Sequence, residues 1–131
     1  MGKVVSLQQR RIAHDAEKRL LHCRDTLFAI HQRAQWFMME KSGAITLTFF
    51  CVEISNYEEA VEQLLEVARP SGVNERLRWL IHSAWELYFE AGALIANDSV
   101  RARVTFGTQF AAFSGQVFDL FPRLGKGPSA A

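Results

Sequence analysis

Apolar and polar positions along this chain keep one period for most of its length. In the first quarter, small and apolar residues sit at Ala13, Ala16, Leu20, Cys23, Leu27, Ile30, Ala34 and Phe37. Leu47, Phe50, Ile54, Tyr57, Val61, Leu64 and Ala68 follow, then Leu77, Leu80, Ala84, Leu87, Ala91 and Leu94. The last stripe is Phe106, Phe110, Phe113, Val117 and Leu120, behind a charged Arg103. Steps of three and four residues define the seam of a helix packed at a shallow angle on its neighbours. Breakers separate the stripes at Ser42-Gly43, at Arg69-Pro70-Ser71-Gly72, at Asn97-Asp98-Ser99 and at Pro122.

One stretch supports two readings. Ile45, Leu47 and Phe49 alternate with Thr46 and Thr48, as a half-buried strand would, and "VRARVTF" (residues 100–106) also alternates. A two-stranded ladder between 45–52 and 100–106 is the alternative this allows, with Ser55-x-x-Glu58 capping a shorter helix. A lone hairpin is marginal in water, and helix from about Ala44 to Ala68 continues the shared period. The expectation is therefore all-α: a four-helix up-down-up-down bundle, one domain over residues 1–124, with a flexible tail at 125–131.

Helix lengths add a feature. Helix 1, roughly Leu7–Lys41, is about 50 Å long and helix 2 nearer 37 Å. Folding helix 2 back sets Ala68 beside residue 17 or so. The first ten residues of helix 1, with Leu7, Ile12, Ala13 and Ala16, overhang the bundle with no evident cover.

Charge and cysteine content restrict the classes of function. A chain of 131 residues with net charge +1 has no global attraction for nucleic acid or membrane. Two scattered cysteines make neither a disulfide framework nor a metal knuckle. With no secretory or membrane-spanning run evident, the reading is a cytoplasmic protein. Met1-Gly2 with Ser6 fits the loose N-myristoylation pattern, which is short enough to arise by chance.

Candidate chemistry is sparse. Arg76-Leu-Arg-Trp-Leu-Ile-His82 resembles the R-x(4–6)-H element of HEPN-type helical ribonucleases, although that family usually has a polar residue where Leu77 stands. The resemblance implies Arg76 and His82 acting on the RNA 2′-OH and phosphate in a cleft built by dimerisation. The plainer reading is an exposed helix flank. Di-iron bundles need Glu-x-x-His pairs, and no Glu stands three before a His. Helix 2 carries Glu53, Glu58, Glu59, Glu62 and Glu66 with no Lys or Arg, while the sequence from Lys3 through Lys41 has eight basic residues against four acidic. Two neighbouring helices with complementary flanks account for both. Arg10, Arg11, His14 and Lys18 cluster on the overhang, where a weak nucleic-acid site is the alternative. Cys23 and Cys51 read as inert small hydrophobes. No catalytic residue, cofactor or metal is expected.

Apolar surplus is what remains. Helix 3 has a second row, Ile81, Trp85, Tyr88, Gly92 and Ile95, and Trp79 and Phe89 beyond it. Together these span an arc of about 160°, wider than the ~100° a core-facing helix requires. Helix 1 adds Leu21, Phe28, Trp36 and Met39 off its seam, and helix 4 sets Gly107, Ala111 and Ser114 in line. Either irregular packing absorbs these residues or they meet another protein. The expectation is a small non-enzymatic regulatory protein, an adaptor, anti-activator or immunity type, that binds a partner protein and forms a homodimer. Transcription regulators are among the partners considered; nucleic acid and membrane are not expected. The residues assigned to binding are Leu7, Ile12, Leu21, Phe28, Trp79, Ile81, Trp85, Tyr88 and Phe89.

Overall fold

A computed structural model describes the backbone of residues 2–40 and 44–124, and side chains over most of that range. It contains four helices: α1 (Gly2–Glu40), α2 (Ala44–Val67), α3 (Gly72–Ala96) and α4 (Val100–Leu124). No strand occurs among the described residues, and both halves of the ladder considered above, 45–52 and 100–106, are helical. Four seams in a common period outweigh local alternation because each seam gains a core to pack against. The first turn (42–43) and the tail (125–131) lie outside the described residues.

The helices follow one another around the bundle. α1 packs along α2, α2 on α3, α3 on α4, and α4 returns to α1; α1 also touches α3 across the diagonal, while α2 and α4 do not meet among the described residues. The seams supply the core: Cys23, Leu27, Ile30, Ala34 and Phe37 of α1 are buried against the matching rows of the other three helices. Side-chain polar groups inside are satisfied. The Tyr57 hydroxyl donates to the Leu77 carbonyl at 2.6 Å, and Asn74 Nδ2 donates to the Arg69 carbonyl at 2.8 Å, tying α3 to the loop before it. No buried side-chain nitrogen or oxygen lacks a hydrogen bond among the described residues.

Two turns use the same device. Ser71 Oγ accepts from the Asn74 amide and Ser99 Oγ from the Ala102 amide, each at 3.1 Å, so a serine caps α3 and another caps α4. Arg103, the charge at the head of the last stripe, turns back onto Asp98 with two bonds of 2.6 and 2.7 Å. The helix ends differ from expectation at two points. α1 begins at Gly2, ahead of Leu7, and α4 runs through Pro122 to Leu124. A proline in a last turn forfeits only one amide bond, to the carbonyl four residues back, so the helix continues past it.

Candidate interaction surfaces

The overhang is present. Arg19 marks where α2 ends: its guanidinium donates to the Gln63 carbonyl and sits 3.4 Å from Glu66, while Asp15 braces it from one turn earlier. Beyond that point neither α2 nor any other described residue covers α1. Leu7 and Ile12 are each 56 % exposed, and Ala13 is exposed beside them. Arg10, Arg11, His14 and Lys18 are also exposed, with no ion pair among the described residues. The projecting piece is an amphipathic basic helix.

The surplus on α3 divides. Ile81, Trp85 and Tyr88, assigned above to partner binding, pack against the core. The Trp85 indole donates to Glu58 of α2 at 3.2 Å, and Tyr88 meets Trp85 edge-on, with ring centres 5.6 Å apart, and tilts against Phe50. α3 is rotated so that this second row fills the seam with α2. A Cβ on Gly92 would touch Leu47. Trp79 and Phe89 face outward, 69 % and 67 % exposed.

Arg76 and His82 do not converge. Six residues along a helix place them about 120° apart. Arg76 is held by Asp119 of α4 at 2.8 Å and lines a groove between α3 and α4. His82 lies on the other side of Trp79, with ring centres 5.9 Å apart, in a separate shallow depression with Glu75 and Arg78. Leu77, the departure from the ribonuclease pattern, is buried in the core.

The α1–α4 edge is built around a buried imidazole. His31 stacks on Phe28 and Phe110, meets Phe118 edge-on, and its Nε2 lies 3.0 Å from Ser114 Oγ. Burial holds its pKa below the ordinary value. Phe28 and Phe118 cover it and remain about half exposed, with half-buried Leu21 farther along α1. On the α1–α2 edge, the Arg33 guanidinium lies over Trp36 and Phe49 and 3.6 Å from Glu53. Cys23 is fully buried, and desolvation pushes its thiol up to about 12, so it stays protonated. No group of three or more potential metal ligands occurs among the described residues.

One surface escaped the reading of periods. From Val104 to Phe118, α4 has no ionisable residue. On its outward side Val100 (79 %), Val104 (62 %) and Phe118 (54 %) are exposed, with Ala111, Ala112 and Gly115 between them. Of the small residues in line on α4, Ala111 is exposed and Ser114 is drawn onto His31, and a Cβ on Gly107, or on Gly115 next to Ser114, would meet nothing within 4 Å. Beside this strip the α3–α4 groove, about 520 Å³, is walled by Trp79 and floored by Leu80 and Leu120. The signal was available as an uncharged run, a feature that helical spacing does not report.

No family model, no curated protein and no solved structure matches this chain. Fold and surface together define a class, a four-helix bundle with a closed core, a projecting first helix and apolar residues on several outer faces. No described helix is long and apolar enough to cross a membrane.

Proposed function

We propose that this chain is a non-enzymatic regulatory protein that binds another protein through helix faces, as adaptors, anti-activators and immunity proteins do, and that it acts as a homodimer. The observation that carries this reading is the projecting start of α1. Ile12 and Ala13 extend a seam whose remainder is core, yet nothing in the described chain covers them. An isolated helix of this length is marginal in water, so a protein partner is what would give it stability. The chemistry of the arm specifies that partner. Ile12 with Ala13 calls for an apolar groove, and Arg10, Arg11 and Lys18 for acidic residues along its rim.

Trp79 and Phe89 are a second pair of exposed aromatics, of the type that anchors interfaces. The test is affinity capture by the full chain from its native host with mass spectrometry, followed by direct titration of the protein identified. The expected result is a saturable complex, weakened about tenfold or more by Ile12→Asp and sensitive to salt through the arginines. Failure of Ile12→Asp, Trp79→Ala and a truncation of residues 1–12 to weaken any complex would overturn it. So would RNA cleavage that disappears in folded His82→Ala.

A further inference from the structure

We propose that the outer face of α4 seats a second copy of this chain. The proposal deepens the interaction reading, and rests on it in treating exposed apolar surface as binding surface. An outward helix face in a bundle is ordinarily charged; this one presents Val100, Val104, Ala111, Gly115 and Phe118 with no ionisable residue from Val104 to Phe118.

The choice of occupant follows from charge. In a two-fold dimer each patch is laid against itself, so like charges on it repel. The outward side of α2 would bring Glu59, Glu62 and Glu66 against their own copies. The α1 arm would bring Arg10, Arg11 and Lys18 together. α3 offers Trp79 and Phe89, but set among Glu75, Arg78 and Glu86. Among these four described faces the α4 strip meets itself at the lowest cost, since its ionisable residues, Arg101 and Arg103 at one end and Asp119 at the other, stand at its ends. The same face also carries both halves of a fit: Trp79 projects at its edge, and the 520 Å³ groove beside it is floored by small and apolar residues, with the paired Arg76 and Asp119 on its wall.

Area sets the expected strength. Val100 to Phe118 covers roughly 28 Å of helix. With a flank on either side the strip is about 18 Å wide, two helix spacings. That is roughly 500 Å² per copy and 1,000 Å² in total, the threshold for a specific interface, so the dimer is expected in the micromolar range. Gly115, where added atoms meet open space within one chain, lies one turn from the Phe118 end of the strip and admits close approach of the second helix.

Sedimentation velocity on the full chain, from roughly micromolar to hundreds of micromolar, tests this. Wild type is expected to pass from monomer to dimer over that range. Gly115→Lys and Val104→Glu should each raise the dissociation constant about tenfold or more. Both sites are exposed, and lysine is a better helix former than glycine, so helical circular dichroism and Tm should be retained. Wild type that stays monomeric throughout overturns the proposal, as does a dimer indifferent to both changes. A monomer that binds lipid vesicles through the strip, losing this in Gly115→Lys, also overturns it and makes the occupant a membrane. If Ile12→Asp breaks the dimer and Gly115→Lys does not, the second copy sits on the arm: the proposal fails while the interaction reading stands. If Ile12→Asp leaves the dimer intact and weakens only partner capture, both hold.

Discussion

His31 is the residue whose environment has the clearest consequence in solution. Three phenylalanine rings surround it, Ser114 is its one hydrogen-bond partner among the described residues, and burial lowers its pKa below 6.5. Unfolded, the imidazole takes up its proton near 6.5, before the folded form does. Its contribution to stability is therefore present above about pH 6.5 and lost as pH falls from there through the lower folded value. Thermal melts from neutral to mildly acidic pH should show Tm falling, with a shallower slope in His31→Gln. His31→Gln leaves His14, His22 and His82 in place, so an unchanged slope would refute the assignment. Tyr57 offers a second measurement. Its hydroxyl donates to the Leu77 carbonyl inside the core, so Tyr57→Phe should cost about 1 kcal/mol, or roughly 4 °C in Tm.

At the level of elements, the two serine caps hold the ends of the turns in place. Ser71→Ala and Ser99→Ala should each destabilise by about 1 kcal/mol, and the double variant by close to the sum, since the caps share no partner. Chemical denaturation with matched m-values would check it. The arm of α1 should behave in the opposite way. Removing residues 1–12 ought to reduce helical signal while leaving Tm nearly unchanged, because Leu7 and Ile12 contribute to no core. A large loss of Tm would show that other parts of the chain lean on the arm. The four seams and the overhang were legible because a period of three and four names the buried face wherever four helices must share one core. The fate of the second row on α3 was not. Whether Ile81, Trp85 and Tyr88 point inward depends on how α3 rotates against α2, which is settled by Glu58, Phe50 and Leu47, residues far away in sequence. The α4 strip was missed for another reason: glycine and alanine carry too little apolar surface to register in a seam, and Val100, Val104 and Phe118 lie off it.

For the whole molecule, charge is distributed by helix. α2 has five acidic residues and no basic one, while the arm of α1 is basic, and the pairs that cross between α1 and α2, Arg33 with Glu53 and Arg19 with Glu66, are partly exposed. Exposed pairs of this kind contribute at most about 1 kcal/mol each and are screened by salt, so the bundle should melt at nearly the same temperature in low and high salt while partner capture by the arm weakens. The arm has one more property, which concerns primary amines. Of the four lysines, Lys3 and Lys18 belong to α1 at or below the level of Arg19, and none occurs between Lys41 and Lys126; every cation on α3 and α4 is an arginine. Acylating reagents, amine-directed dyes and lysine-specific modifying enzymes would therefore find the arm and the two ends of the remaining sequence, and no lysine on α2, α3 or α4. A label attached to Lys18 reports on the arm with little background from the bundle, and acetylation there would remove charge from the arm without touching the core that holds it.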